Sequence, residues 1–313
     1  MQAHYTATDI ARLTGAKLEN AGEYAELPIL QYAFDSRRIS RSEVSLFLAL
    51  SGVTRDGHAF ASKAYSKGIR VFWTSHYVDL PDDATVLRSA DVLESLQHLA
   101  QHHRQQFTGT VVGITGSNGK TIVKEWLFEL LHRKYPTYRS PGSFNSQLGV
   151  PLALLGINPE HHIAIIEAGI SQEGEMQRLA QLIQPEVGIM THLGRAHEQG
   201  FPSFEAKVAE KALLFASARE VFVVKHNQVF DLPNPDVRQI VGTSVACDHY
   251  FEPSNSNATG TDFSFDGQSF TLPVSGEVAF ENAQLAIAVA HQLGVGVQEL
   301  AEWVRHLQPV SMR

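Results

Sequence analysis

Two rhythms of apolar and polar positions divide the chain near Thr108-Gly109. Before that point, apolar stretches at residues 29–34, 44–50 and 69–73 predict strands. Residues 59–67 have helix-like composition, and residues 93–107 repeat apolar side chains at helical spacing. The first hundred residues therefore read as mixed α/β. From Thr110 onward the rhythm becomes strand, helix, strand, helix, with apolar runs at 110–115, 163–167, 187–190 and 221–224. That alternation predicts a mostly parallel sheet covered by helices on both faces. Residues 262–272 read as a hairpin turning at Asp266-Gly267. Ser254 to Gly260 (SNSNATG) reads as a polar loop, and helical stretches at about 280–293 and 297–307 close the chain. The expected fold class is α/β, with domains at 1–108 and 109–313.

Composition agrees with two domains, since 313 residues exceed the usual ~150 per domain. The hydrophobic share of 43% and charged share of 19% are ordinary for a globular protein. No uninterrupted apolar run approaches the roughly 20 residues that span a bilayer. The N-terminus, MQAHYTATDIARLTG, lacks the basic-then-apolar layout of a secretory signal. A single cysteine, Cys247, excludes an intramolecular disulfide framework and fits a reducing compartment, so a cytoplasmic location is expected. The formal net charge of −8 argues against nucleic-acid binding through the bulk field. A phosphorylated ligand would need a locally positive site. The fifteen histidines form no Cys/His metal pattern.

The segment TVVGITGSNGKTIVKEWLFELL, residues 110–131, carries the strongest chemical signal. A β-branched strand enters a glycine-rich turn. A helix follows, whose apolar residues Val123, Trp126, Leu127, Leu130 and Leu131 share one face. Glycines 113, 116 and 119 would let backbone N–H groups turn inward while the new helix points its positive end at the same spot. Gly116, Ser117, Asn118 and Gly119 would cradle ATP phosphates, Lys120 would reach the β- and γ-phosphates, and the Thr121 hydroxyl would hold Mg²⁺. Ile114 departs from the strict G-x-x-x-x-G-K-[ST] pattern. The plainer alternative is a glycine-rich turn followed by a surface lysine; the strand before, the helix after and the adjacent Gly-Lys-Thr favour nucleotide.

Two further residues invite chemistry. Glu167 ends the apolar strand IAIIE, at the edge where a parallel sheet presents ligands. A carboxylate there can take a phosphate-bound Mg²⁺, or it can simply be salt-bridged to a neighbour. A helix is expected over 203–218, with Phe204, Val208, Ala212 and Phe215 as its apolar stripe. Lys211 falls about 20° from Phe204 on that stripe. Burial there would disfavour the ammonium, and a neutral amine can add CO₂ to become a carbamate. The alternative is a packed stem with its head in water, the arrangement expected for Lys207 nearer the stripe's edge.

The variant T-G-S-N-G-K-T at 115–121 resembles the phosphate loop of the Mur ligase family. Segments 145–151 (NSQLGVP), 167–169 (EAG), 174–176 (GEM) and 196–201 (AHEQGF) match the same family in the same order. Upstream, Asp35-Ser36-Arg37 and residues 47–60 (FLALSGVTRDGHAF) are similar to its uridine-nucleotide-binding domain. KTIVKEWL, NSQLGVPLALL and EAGISQEGEM look most like the D-alanyl-D-alanine-adding branch, and like versions fused to an alanine racemase.

The resemblance implies a UDP-sugar-peptide-binding domain at 1–108 and a P-loop ATPase domain at 109–313. The implied enzyme is an ATP-dependent amide ligase joining D-alanyl-D-alanine to UDP-N-acetylmuramoyl-tripeptide through an acyl phosphate. It implies two Mg²⁺ ions, with Thr121, Glu167, His197 and a carbamylated Lys211 as ligands, and Lys120, Glu167, His197 and Lys211 as catalytic residues. His197 read alone is a loop histidine like any other. Asn282 resembles an adenine contact, while its own sequence reads equally as a polar residue opening a helix. Ser36, Arg37, Arg55 and His58 are candidates for the UDP-sugar end of the substrate, and Asn145 and Ser146 for sugar-peptide or nucleotide phosphates. The stretch 308–313 resembles the hinge leading to the family's C-terminal amine-binding domain, so the chain is expected to lack that domain and to ligate negligibly alone. A folylpolyglutamate-synthetase-like ligase and a non-catalytic nucleotide-binding module are the other readings.

Overall fold

The computed structural model describes residues 5–37, 42–52, 56–194, 200–225, 231–232, 234–257 and 260–310. Contacts divide the chain into two units, Met1–Gln106 and Phe107–Arg313.

The first unit begins with helix α1 (Ala7–Thr14), set by a capping box between Thr6 and Asp9 and stopped by Gly15 in the left-handed region. Strands β1 (Lys17–Glu19), β2 (Gln31–Ala33), β3 (Ser45–Leu48), β4 (Val71–Thr74) and β5 (Thr85–Arg88) form a sheet in the order β1-β5-β4-β3-β2. All neighbours are parallel except β1 against β5. Strands β3 and β4 are buried along their whole length, as parallel strands covered on both faces must be. Helices α2 (Ala61–Ser66) and α3 (Val92–Gln106) complete the unit.

In the second unit, strands β6 (Thr110–Thr115), β7 (Thr137–Arg139), β8 (Ile163–Glu167), β9 (Val187–Met190), β10 (Glu220–Val224), β11 (Arg238–Gly242), β12 (His249–Asn257), β13 (Gly260–Phe265) and β14 (Gln268–Leu272) make one sheet. Its order is β14-β13-β12-β11-β10-β9-β6-β8-β7. Pairing is parallel from β7 to β12 and antiparallel from β12 to β14. Helices α4 (Lys120–Leu131), α5 (Gly149–Leu154), α6 (Glu175–Ile183), α7 (Phe204–Ala212), α8 (Glu277–Gln292) and α9 (Val297–Val304) connect and cover it. The apolar face of α4 packs with α8 in the main core. Asp266 and Gly267 both take positive φ, the geometry that closes a two-residue hairpin between β13 and β14.

Three expectations require correction. Residues 254–257 are strand, the polar end of β12, paired with β13 around a register shift between Pro253 and Asn255. Its exposed polar side chains give the run the look of a loop, yet a ladder needs only the backbone. The helix expected over 203–218 ends at Ala212 and tightens into a 3₁₀ turn, Leu213–Phe215. Gly113 takes no positive φ. It lies inside β6, where a Cβ would come 2.9 Å from the Pro185 Cβ, so it serves packing rather than the phosphate turn. Among the described residues no helix is long and apolar enough to cross a membrane.

Candidate active site

The register of the parallel sheet assembles the site. Ile114 pairs with Glu167 and Thr115 with Met190, so β6, β8 and β9 end at one edge. The turn after β6 uses Gly116 (φ 145°) and Gly119 (φ 86°), conformations that L side chains resist. Gly119 is also the N-cap of α4, with no side chain to satisfy the first-turn amides. Two loop amides are already engaged, because Ser117 N and Asn118 N donate to His192 O at 2.9 and 3.2 Å. An anion would therefore find its amide donors in the uncapped first turn of α4 rather than along the whole loop. Lys120 Nζ donates to Gly116 O and Ser117 O at 3.0 and 3.2 Å, folding the side chain back over its own loop. Burial lowers the Lys120 pKa; Glu167 nearby opposes that shift and Lys207 adds to it.

Glu167 is 1% exposed and lies at the centre of a hydrogen-bonded cluster. Its Oε2 accepts from Thr121 Oγ1 at 3.0 Å and its Oε1 from Asn145 Nδ2 at 2.7 Å. Lys124 Nζ stands 3.8 Å from Oε2. The salt-bridged reading of Glu167 is met by Lys124, and the same carboxylate oxygen also accepts from the Thr121 hydroxyl. This pair offers the hard oxygen ligands that Mg²⁺ takes.

Beside this cluster opens a cavity of about 290 Å³, lined by Lys120, Lys207, Lys211, Asn145, Ser146, Gln147 and Glu175 among others. Ser203 starts α7 by accepting from Ala206 N, and the helix carries both Lys207 and Lys211 into the cavity wall. Each of the two is 3% exposed. Burial, then the charges of Lys120 and Lys207, lower the Lys211 pKa to about 7. Lys207 does not reach out to water as its place on the stripe suggested. Its ammonium donates to Gly194 O at 3.0 Å, the carbonyl that also accepts from Ser117 Oγ. Three lysines and Glu175 line one small cavity, a concentration of basic side chains in a chain of net charge −8 that suits an anion.

The Mur ligase middle-domain model matches residues 114–290, more than half of the chain. The chain belongs to the Mur ligase family. It is 28% identical to the UDP-N-acetylmuramoyl-tripeptide–D-alanyl-D-alanine ligase of Bacillus subtilis (strain 168), over 98% of this chain and 68% of that protein. The enzyme of the same name from Borreliella burgdorferi is 30% identical, over 87% of this chain and 62% of that one. Across four such relatives the chain spans between 58% and 68% of their length. Among solved structures, MurF from Acinetobacter baumannii superimposes with a TM-score of 0.85 at 25% identity, over 99% of this chain and 69% of that one. MurF from Thermotoga maritima, in complex with ADP, shares the fold with a TM-score of 0.73 at 24% identity, over 90% and 67%.

For a Mur ligase chain, the remaining candidate residues divide sharply. Asn282 lies in the second turn of α8, which begins at Glu277, so it does not cap that helix. It is 2% exposed, and its Nδ2 has no hydrogen-bond partner. The side chain lies against Gly119, where an added Cβ would collide with its amide. An orphaned buried donor touching the phosphate turn is a feature a nucleotide would satisfy.

In the first unit Ser36 is buried and its carbonyl accepts from Lys67 Nζ at 2.6 Å, whereas Arg37 is exposed and clamped on Asp35. His58 is turned inward: Nδ1 meets Asp56 Oδ1 at 2.5 Å and Nε2 accepts from Ser75 N at 2.9 Å. Both ring nitrogens are engaged within the unit, which ties His58 to Asp56 and to Ser75. A cavity of about 380 Å³ in the same unit is lined by Ser51, Gly52, Ser75 and Asp91, beyond the carboxyl ends of β3, β4 and β5. Of the residues named from the sequence, Ser36, Arg37 and His58 are described and do not line it. Arg55 and His197 lie outside the described residues. Sequence reasoning missed Lys124 and misjudged Lys207. For Lys124 a signal existed, since it falls about 20° from Leu131 on the apolar face of α4.

Proposed function

We propose that this chain carries the UDP-sugar-peptide-binding and ATP-binding parts of a ligase that adds D-alanyl-D-alanine to UDP-N-acetylmuramoyl-tripeptide. The observation carrying this reading is the convergence of Thr121, Glu167 and three lysines beside the uncapped start of α4. In the reaction, a terminal carboxylate oxygen of the tripeptide attacks the γ-phosphorus of ATP and ADP leaves. The amine of D-alanyl-D-alanine then attacks the acyl phosphate, a tetrahedral intermediate forms, and phosphate departs as the amide bond closes.

Such chemistry asks the protein mainly for positioning and charge neutralisation. Lys120 exchanges its own loop carbonyls for phosphate oxygens, and the first-turn amides of α4 receive the remaining negative charge. Asn145 fixes the rotamer of Glu167 through its 2.7 Å hydrogen bond. Asn282 offers its free amide to the nucleotide. Thr121 and Glu167 would hold Mg²⁺, with His197 and a carbamylated Lys211 joining them by family resemblance, and the ion supplies charge neutralisation at the phosphates. Carbamylation needs a neutral amine. Burial lowers the Lys211 pKa to about 7, which makes the neutral amine accessible near neutral pH, and its Nζ can add to CO₂ with loss of one proton.

Calorimetry tests the assignment. The chain should bind ATP more tightly with Mg²⁺ than in EDTA, and should bind UDP-N-acetylmuramoyl-tripeptide but not folates. Binding of folates with no response to the UDP-sugar peptide would replace this reading with a folylpolyglutamate-synthetase-like one. In ¹³C-bicarbonate, a carbamate resonance that disappears in Lys211→Met would support the modification.

A further inference from the structure

Lys124 is 0% exposed, among the most completely enclosed ammonium groups in the chain, and the reaction just described leaves it without a task. Its Nζ donates to Ser140 O at 3.0 Å and Gly142 O at 2.5 Å, and lies 3.2 Å from Glu125 Oε1 and 3.8 Å from Glu167 Oε2. Those partners belong to different pieces of the site. Ser140 and Gly142 form the turn after β7, which leads directly into Asn145. That turn is knitted to β8, since Ser140 N donates to Ile165 O and Ser140 Oγ accepts from Glu167 N. Asn145 in turn holds Glu167 Oε1 and, through its carbonyl, the amide of Gly169. Lys124 also sits one helical turn beyond Lys120, on the helix whose Thr121 hydroxyl meets Glu167.

A lysine buried to this degree carries a large desolvation cost, and a surface ion pair with Glu125 would not require it. The geometry points to Lys124 as a positioning residue: one ammonium locks the phosphate-loop helix, the Asn145 turn and the Glu167 carboxylate into one arrangement for the metal-bound nucleotide. This inference rests on the nucleotide reading above and extends it to a residue that touches neither nucleotide nor metal. Lys124 acts through Glu167 and the Asn145 turn, so its loss should appear in the response to Mg²⁺ more than in the affinity for the nucleotide alone.

The test compares ATP affinity with Mg²⁺ and in EDTA, by calorimetry, for the unmodified protein and for Lys124→Met, a substitution close in length. The expected result is that the enhancement of affinity by Mg²⁺ falls about tenfold, while affinity in EDTA changes less than about threefold. An enhancement that is unchanged or larger would overturn the inference. Lys124→Met leaves a buried carboxylate unpaired and could lower the yield of folded protein. Lys124→Met/Glu167→Gln removes both charges and avoids that penalty. In the Glu167→Gln background the lysine substitution should have no further effect on the Mg²⁺ enhancement; a further loss there would also overturn it. If the unmodified protein shows no ATP binding at all, the nucleotide reading fails, and that outcome is distinct from a normal Mg²⁺ response in the variant.

Discussion

At the scale of single residues, the site is organised by what burial does to charge. Lys211 shows this best, because its position on an apolar stripe was readable from spacing alone and the structure buries it. A folded-state pKa lowered to about 7 sets the sign of a stability effect. Between that value and the unfolded lysine value near 10.4 the unfolded chain binds more protons, so stability rises with pH by up to about 1.4 kcal/mol per unit. Below the folded pKa both states are protonated, and the full cost of the buried ammonium remains. Lys211→Met should flatten this rise between pH 7 and 10 in CO₂-free buffer, measured by urea midpoints at each pH. A slope identical to that of the unmodified protein would mean that Lys211 is not buried as a neutral amine. Lys207 marks where stripe arithmetic fails. Its angular position leaves it near an edge, and only the folded path of 191–194 shows that a carbonyl, Gly194 O, waits where solvent was expected.

At the scale of elements, strand–turn–helix order was the most legible feature. β6, its turn and α4 follow from a β-branched run, two glycines at positive φ and a repeating apolar face. Partnership was less legible. Nothing local to KTIVKEWLFELL says that α4 packs against α8, more than 140 positions away, or that Trp126 donates to Gln308 O at 2.8 Å. The same limit explains the misread end of β12, whose polar residues gain their order only from β13. Trp126 tests the α4–α8 layer. It is 2% exposed, and Trp126→Ala should cost about 3–5 kcal/mol through lost packing and the cavity left behind. Urea unfolding followed by circular dichroism reads this as a lower midpoint. A loss below about 1 kcal/mol would mean that α4 is held by its loop contacts rather than by this face.

At the scale of the whole molecule, composition conceals the chemistry. A net charge of −8 gives no hint of a cavity lined by three lysines, because their spacing of 4 and about 90 positions becomes proximity only when β6 and α7 reach the same sheet edge. The same sheet edge argues for where nucleotide binding resides. Lys120, Thr121, Asn145, Glu167, Lys207, Lys211 and Asn282 all lie within residues 107–313. That unit has its own nine-stranded sheet and its own large core, which draws on α4, α8 and α9 and on β6 and β8 to β14. A separate five-stranded sheet with a smaller core serves residues 1–106. A unit whose apolar surface is buried internally should fold without its neighbour. Residues 107–313 produced alone should therefore unfold in one cooperative transition and bind ATP·Mg²⁺ within about threefold of the 313-residue chain, a difference under about 0.7 kcal/mol. UDP-N-acetylmuramoyl-tripeptide should instead bind far more weakly to that piece, because the resemblance to a uridine site lies wholly in the first unit. Loss of ATP binding by more than about tenfold, in protein shown to be folded, would mean that the first unit supplies a contact to the nucleotide. Equal retention of the UDP-sugar peptide would move its main binding site to the Asn145–Ser146 side of the lysine cavity.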